Sequence, residues 1–94
     1  MIGIGCIVNT AAIVEHDCVV EDFVNISPRS AVAGHTRIGE KSFLGIGSTI
    51  INEITIGKKV VIGAGAVVIR DLPDNVMVAG VPAKIKISLS RKNT

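Results

Sequence analysis

The sequence predicts an all-β fold built from a short, regularly repeated strand unit, and three observations support this prediction. First, every sixth residue from Ile2 to Val68 is aliphatic, without exception. Second, the residue four places after each aliphatic is uncharged and mostly small, from Cys6 to Leu72. Third, hydrophobic residues make up 48% of the chain but aromatic residues only 2%. The core must therefore be thin and rich in β-branched Ile and Val, which favour strands.

Each six-residue unit is predicted to form a short strand followed by a polar corner. The aliphatic residue and the small residue four places later point inward, while charges gather two and three places after the aliphatic, as at His16–Asp17 and Glu40–Lys41. A period of six with this pattern resembles the hexapeptide repeat of left-handed parallel β-helices, in which three hexads form one triangular coil. The resemblance therefore implies a single-stranded left-handed parallel β-helix of about four coils over the repeated region.

Three hexads per coil place residues eighteen apart directly above one another. Asp17 is therefore expected under His35, and His16 under Gly34. The two cysteines are twelve residues apart and fall in different columns. We expect them to be small inward-facing residues rather than a disulfide or a nucleophile.

The repeat ends at Pro73, which divides the chain into two parts. Residues 1–73 are predicted as the β-helix, and residues 74–94 as a closing motif with a basic tail. Within the second part, the alternation of apolar and polar residues from Ile85 to Leu89 predicts a short edge strand. The net charge is +2, and no acid follows residue 83. The bases there suit either a phosphate partner or plain solvation, and they are Lys84, Lys86, Arg91 and Lys92.

Composition and charge exclude several other classes of protein. No uninterrupted apolar run approaches the ~20 residues of a membrane helix, and the amino terminus lacks the pattern of a signal peptide. Basic residues are not interleaved with aromatic ones, so nucleic acid is not an expected partner. We therefore expect a cytoplasmic protein that binds neither nucleic acid nor membrane.

Three stretches carry a more specific resemblance. They are VNTAAIVEHDCVVEDFVNISPRSAVAG at residues 8–34, GAGAVV at residues 63–68 and DNVMVAGVPAK at residues 74–84. The first resembles the acyltransferase domain of bacterial sugar O- and N-acetyltransferases, of the type that acetylates nucleotide-linked amino sugars or sialic acid. The last is similar to the closing motif of acyl-CoA-dependent hexapeptide enzymes. The resemblance implies transfer of an acetyl group from acetyl-CoA, as co-substrate, to an amine or hydroxyl of a sugar or other small acceptor.

The same resemblance implies roles for individual residues. His16 is the implied general base, a task that suits an imidazole near neutral pH, and Asp17 is the acid that orients it. The backbone N–H of Gly34 is implied to bond the thioester oxygen, where negative charge builds up. The residues implied in cofactor binding are Asn25, Gly34, Ile46, Gly63, Ala64, Gly65, Gly80 and Lys84. Proteins of this type are homotrimers with active sites between neighbouring chains, and we expect the same assembly here.

The residues alone leave other interpretations open. His16 also fits a solvated histidine in a surface turn, and His35 fits a structural role beside Asp17. Asn25 stands where related enzymes often have a second histidine, so the rate or the substrate preference would differ. Related enzymes also carry an amino-terminal α/β domain that holds the nucleotide sugar, whereas this sequence begins just before its first repeat. The second hypothesis is therefore a non-catalytic trimeric β-helix module left from a truncated sugar acetyltransferase.

A zinc enzyme is a third hypothesis, because one branch of this fold forms a carbonic anhydrase with three histidines per metal ion. This chain has only His16 and His35, and neither cysteine reaches them in the stacked arrangement. We therefore expect no metal site.

Overall fold

The structure, a computed structural model, describes residues 1–89, which form strands, turns and bends without any helix. Residues 90–94 lie outside the described residues, and with them Arg91 and Lys92 of the predicted basic tail. Within residues 1–89 there is no helix of the length and apolarity that crossing a membrane requires.

Short strands follow one another at six-residue intervals through most of the chain. In order they are β1 (Ile7–Val8), β2 (Ile13–Val14), β3 (Val19–Val20), β4 (Asn25–Ile26), β5 (Ala31–Val32), β6 (Arg37–Ile38), β7 (Phe43–Leu44), β8 (Thr49–Ile50), β9 (Thr55–Ile56), β10 (Val61–Ile62) and β11 (Val67–Val68). The second residue of each strand is the aliphatic of the repeat, and it points inward. Because neighbouring side chains of a strand point to opposite faces, the first residue points outward.

These strands stack into three parallel sheets, one on each side of a triangular prism. The four-stranded sheet has the order β11-β8-β5-β2, the three-stranded sheet is β3-β6-β9, and the largest sheet begins β1-β4-β7-β10. Partner residues are eighteen apart, as in Asn25↔Phe43 and Ala31↔Thr49. One coil therefore takes three hexads, and the predicted parallel β-helix of about four coils is confirmed.

The aliphatic residues of the repeat form one continuous core along the prism. Those with no exposed surface include Val20, Ile26, Val32, Ile38, Leu44, Ile50 and Ile62. In the coil at the amino-terminal end, the equivalent residues are covered on one side only, so Val8 is 43% exposed.

The small residues of the second inward column are tied to the next coil by hydrogen bonds. Ser30 Oγ donates to the carbonyl of Gly45 at 2.9 Å, and Ser42 Oγ to that of Gly57 at 3.0 Å. The thiols of Cys6 and Cys18 donate to carbonyls fifteen residues further on in the same way. Cys18 is buried and Cys6 packs against the core, so the prediction that both cysteines face inward is confirmed.

Every corner of the prism holds one residue in the left-handed backbone conformation. From residue 5 to residue 65, each sixth residue has a φ between 54° and 71°. The corners stack into three edges, and two of them matter here. The histidine edge, made of residues 16–17, 34–35, 52–53 and 70–71, separates the four-stranded from the three-stranded sheet. The glycine edge, made of residues 10–11, 28–29, 46–47 and 64–65, separates the four-stranded from the largest sheet.

The repeat gives way to a hairpin after Leu72. Strand β12 (Val76–Ala79) joins the largest sheet beside β10, with Met77 opposite Val61, sixteen residues away rather than eighteen. Strand β13 (Lys84–Ser88) then runs antiparallel to β12 and is the outer strand of that six-stranded sheet. The predicted edge strand is thus present, beginning one residue earlier than expected.

Candidate active site

His16 and Gly34 lie one above the other on the histidine edge, as the eighteen-residue spacing predicts. A Cβ on Gly34 would lie 3.2 Å from Cε1 and 3.3 Å from Nε2 of His16, tighter than an ordinary contact. Gly34 is not among the residues with a positive φ, so backbone conformation does not explain the glycine. The explanation is space: the His16 ring lies against the side of Gly34 where any other residue carries its Cβ.

The backbone N–H of Gly34 is an available hydrogen-bond donor beside this ring. Within residues 1–89 it donates to no other group of the chain, whereas the carbonyl of Gly34 accepts from the Glu53 N–H at 3.1 Å. His16 is exposed and Gly34 is buried, so the ring covers the glycine from the solvent side. An exposed imidazole therefore adjoins a buried amide N–H that has no partner among the described residues.

Asp17 lies beside His35, as the stacking predicts. Asp17 Oδ2 is 3.9 Å from Nε2 of His35, and within residues 1–89 no ion pair of 4.0 Å or less joins Asp17 to His16. The His16 and His35 rings meet edge to face, with centroids 5.3 Å apart and an interplanar angle of 86°. His35 thus contacts both implied catalytic residues. The sequence had indicated a supporting or structural role for His35 rather than a catalytic one.

Several implied cofactor residues lie on the glycine edge. Ile46 is 50% exposed, and its carbonyl accepts from the Gly65 N–H at 2.8 Å. Gly65 has a φ of 69°, a conformation that glycine adopts without strain. Gly63 and Ala64 precede it at the same corner. Gly80 lies nearby in the last turn, where its carbonyl accepts from the Val67 N–H at 3.1 Å.

A groove crosses the outward face of the four-stranded sheet and reaches the histidine edge at Asn52. It has a volume of about 350 Å³ and crosses β2, β5 and β8. The residues that line it include Ile13, Glu15, Ala31, Thr49, Ile51 and Asn52. The histidine edge and the glycine edge therefore flank one mostly apolar surface.

Asn25 and Lys84 lie away from His16 within a single chain. Asn25 faces outward from β4 in the six-stranded sheet, where its side chain accepts from Asn9 Nδ2 and donates to Ser27 Oγ, both at 3.5 Å. Lys84 begins the exposed outer strand of the same sheet. The histidine edge of one chain therefore brings His16, Asp17 and Gly34 together with His35, whereas the implied cofactor residues lie elsewhere on the same chain.

A second cavity, of about 390 Å³, adjoins the closing hairpin. It brings Arg70, at the top of the histidine edge, close to Lys84 and Pro82. Sequence reasoning did not include Arg70 among the site residues, although its separation from His16 by three coils of eighteen residues already placed it on that edge. Arg70 and Lys84 are both exposed, and Asp71 adds a carboxylate to the same lining, so the cavity carries charges of both signs.

Comparison with known proteins agrees with this architecture. Residues 35–70 match the family model described as bacterial transferase hexapeptide (six repeats). The chain is thus built from hexapeptide repeats. The predicted fold class, a left-handed parallel β-helix of such repeats, is thereby confirmed, as is the resemblance to hexapeptide-repeat acyltransferases.

Solved structures similar to this hexapeptide-repeat protein include acetyltransferases. A histidine-to-asparagine mutant of perosamine N-acetyltransferase from Caulobacter crescentus, in complex with CoA and GDP-perosamine, is 49% identical with a TM-score of 0.90. The alignment covers 90% of this chain and 40% of that one. The acetyltransferase domain of PglB from Neisseria gonorrhoeae, in complex with acetyl coenzyme A, is 51% identical with a TM-score of 0.86, covering 87% and 40% of the two chains.

A more distant similarity extends to another acceptor class. Serine acetyltransferase from Neisseria gonorrhoeae is 28% identical with a TM-score of 0.91, and the alignment covers 97% of this chain and 39% of that one. The hexapeptide-repeat protein thus spans about 40% of the length of the solved structures that it matches.

Proposed function

We propose that this protein transfers an acetyl group from acetyl-CoA to an amine or hydroxyl of a small acceptor, with a nucleotide-linked amino sugar as the first candidate. The observation that carries the proposal is the contact between His16 and Gly34. A Cβ on Gly34 would lie 3.3 Å from Nε2 of His16, and the Gly34 N–H has no partner within residues 1–89. Acyl transfer needs this combination, a base for the acceptor and a donor for the carbonyl oxygen.

The acceptor follows from the similar proteins rather than from the geometry. The perosamine N-acetyltransferase structure contains CoA and GDP-perosamine, and the PglB domain contains acetyl coenzyme A. They are 49% and 51% identical to this chain over 90% and 87% of its length. An amino sugar linked to a nucleotide is therefore the acceptor to test first.

His16 acts in this proposal as the general base. Acetyl-CoA supplies the acetyl group as a thioester. His16 takes a proton from the acceptor nitrogen or oxygen as that atom attacks, and the departing thiol takes up a proton in turn. General-base catalysis of this kind contributes about 10²- to 10⁴-fold in rate.

Gly34 and Asp17 support the same step. The Gly34 N–H donates to the carbonyl oxygen as negative charge develops on it, and loss of one such donor typically costs about 3 kcal/mol of barrier. Asp17 lies next to His35, and the His35 ring contacts the His16 ring edge to face. The carboxylate therefore acts on the His16 orientation together with His35 in our proposal.

We propose a homotrimer that completes the site from two chains. The histidine edge and the glycine edge flank the four-stranded sheet, so three chains that turn this sheet toward a common axis bring one chain's histidine edge to its neighbour's glycine edge. The outward face of that sheet carries Ile13, Ile51 and Ile69, which are 52%, 38% and 40% exposed. By contrast, the three-stranded sheet carries the ion pair of Arg37 with Glu21 at 2.6 Å.

The cofactor candidates fit this arrangement. In the trimer, His16 of one chain would face the cofactor candidates of its neighbour. These are Ile46, Gly63, Ala64 and Gly65 at the glycine edge and Asn25 on the adjoining sheet. The exposed corner at Gly63 to Gly65 allows the pantetheine arm to lie along the backbone. Gly80 and Lys84 would flank the distal half of the co-substrate, with Lys84 near a phosphate.

The proposal is tested by measuring CoA binding and acetyl transfer separately. The untagged chain is titrated with acetyl-CoA by calorimetry, and transfer is followed by release of the free thiol in the presence of GDP-perosamine and simpler amino sugars. His16→Asn keeps a polar side chain of similar reach but cannot act as a base. We expect the variant to lose about 10²-fold or more in kcat while its affinity for CoA stays close to that of the wild type.

The possible results separate the hypotheses. Absence of CoA binding at millimolar concentration contradicts the proposed function. CoA binding without transfer to any acceptor favours the alternative, a non-catalytic trimeric β-helix module. If His16→Asn transfers acetyl groups at the wild-type rate, His16 is not the general base.

A further inference from the structure

The histidine edge brings three potential metal ligands together. His16, Asp17 and His35 each offer one donor atom, and these atoms all lie within 4.8 Å of one another. The expectation that no metal site exists rested on the presence of only two histidines and on the distance of both cysteines from them. The structure adds a carboxylate to the two imidazoles, which gives a set of three.

The repeat geometry explains why these three side chains converge. Asp17 and His35 occupy the same left-handed corner position in successive coils, with φ values of 58° and 59°. Their side chains therefore leave the prism in the same direction, and Asp17 Oδ2 lies 3.9 Å from Nε2 of His35. The His16 ring, which lies against Gly34, reaches the His35 ring edge to face.

The potential ligand atoms are accessible to solvent, and the exposed side chains that carry them can rotate. The side chains of His35 and Asp17 are 55% and 69% exposed. Within residues 1–89, no hydrogen bond involves a ring nitrogen of His16 or His35 or a carboxylate oxygen of Asp17. The lone pairs are thus available, and rotation of exposed side chains can bring the donors closer together.

We propose that His16, Asp17 and His35 bind one divalent transition-metal ion of the Zn²⁺ type. Two imidazoles and one carboxylate, with water in the remaining position, form a typical three-ligand zinc set. Bonds of about 2.0–2.1 Å in a tetrahedral arrangement place the donors about 3.3 Å apart, so each side chain moves by about 1 Å from the present separation. Mg²⁺ and Ca²⁺ are disfavoured because they prefer oxygen ligands, and only one is offered.

Metal binding here would switch off acetyl transfer. The nitrogen lone pair of His16 that binds the metal ion no longer accepts a proton from an acceptor. This consequence rests on the proposed function, whereas the metal binding itself does not. Zn²⁺ should therefore inhibit the enzyme, and removal of the ion with EDTA should restore the rate.

The binding test uses the untagged full chain and Zn²⁺ alone, measured by calorimetry, with Co²⁺ absorption as a second probe. We expect one ion per chain. Asp17→Asn and His35→Asn should each weaken binding about tenfold or more, since loss of an outer partner of a ligand already costs about 10- to 100-fold. Glu15→Gln is the matched control, because it removes a carboxylate next to His16 that is not part of the set. Its affinity for Zn²⁺ should stay near that of the wild type.

The outcomes distinguish this inference from the proposed function. No saturable binding of Zn²⁺ below millimolar concentration, or binding equally strong in Asp17→Asn and His35→Asn, overturns it even if acetyl transfer is observed. Stoichiometric binding that both variants weaken supports it even if no transfer is found. Where transfer occurs, half inhibition is defined for each protein against its own rate without Zn²⁺. The Zn²⁺ concentration that gives half inhibition should be about tenfold or more higher in His35→Asn than in the wild type.

Discussion

The contact between Gly34 and His16 can be tested by adding a single methyl group. In Gly34→Ala the new Cβ would lie 3.2 Å and 3.3 Å from two atoms of the His16 ring, so the ring has to move. Because the ring is exposed, it can turn away without disturbing the core, and the free energy of unfolding should change little. Catalysis is more sensitive, since a displacement of about 1 Å costs up to about 10²-fold in rate. We expect a large loss in kcat, measured by thiol release, with little change in thermal stability.

A double-mutant cycle shows whether this loss acts through the ring. When Gly34→Ala is added to His16→Asn, it should cause a much smaller further loss than it causes alone. An equal loss in both backgrounds would mean that the methyl group disturbs something other than the position of the base, such as the Gly34 N–H.

At the scale of single residues, the sequence predicted positions better than interactions. The eighteen-residue spacing correctly placed His16 under Gly34 and Asp17 under His35. It did not predict that the two histidine rings meet edge to face, or that Asp17 lies closer to His35 than to His16. Those contacts depend on side-chain rotamers at an exposed corner, which a repeat pattern does not determine.

At the scale of the coil, the inward hydroxyl groups connect one turn of the prism to the next. Ser42 Oγ donates to the Gly57 carbonyl at 3.0 Å and accepts from the buried Val60 N–H at 3.1 Å. Ser42→Ala leaves that N–H without a partner, which costs about 1–3 kcal/mol. Ser48 is the matched control, because its hydroxyl donates only to Ser30 Oγ, at 3.2 Å. Ser48→Ala should therefore cost about 1 kcal/mol or less.

Chemical denaturation of the two variants measures the difference. The larger loss in the free energy of unfolding should belong to Ser42→Ala. Equal losses would indicate that burial of the hydroxyl alone, rather than its second hydrogen bond, determines the contribution of this column.

The left-handed corners allow a second test of the coil. Gly47 has a φ of 68°, and a Cβ added there would meet nothing within 4 Å. Gly47→Ala should nevertheless lower the free energy of unfolding by about 1 kcal/mol, because the left-handed conformation disfavours any residue with a Cβ. Lys59 is exposed and has a φ of 54°, so Lys59→Gly should have the opposite sign. If Gly47→Ala proves neutral, the backbone at these corners relaxes more readily than the structure indicates.

The left-handed backbone conformation at these corners could not be predicted from the sequence. The period of six predicted the strands and the columns, because burial of an aliphatic side chain leaves a direct trace in the sequence. The left-handed position leaves almost none, since Asp17, Phe23, Arg29 and Lys41 all adopt it although glycine would be expected there. The packing of neighbouring coils holds these residues in a strained backbone conformation, which residue propensities do not predict.

The closing hairpin was predicted only roughly, because its strand β12 pairs with β10 at a spacing two residues shorter than that of the repeat.

At the scale of the whole molecule, the proposed trimer depends on the outward face of the four-stranded sheet. Ile51 lies on that face, lines its groove and is 38% exposed. In Ile51→Lys an ammonium group would lose water on burial between the chains, which is costly enough to dissociate a small interface. We expect the wild type to elute with about three times the chain mass of 9.8 kDa, and the variant with the mass of one chain, by light scattering after size exclusion.

Ile87 provides the control for this experiment, because it is 54% exposed on β13, at the outer strand of another sheet. Ile87→Lys should leave the trimer intact.

If the site needs two chains, Ile51→Lys also loses acetyl transfer, although His16 and Gly34 of each chain are unchanged. Mixing Ile51→Lys with His16→Asn should not restore activity, because the first variant cannot enter a trimer. A monomeric wild type that transfers acetyl groups would show instead that one prism holds the whole site, and the division of the site between two edges would be wrong.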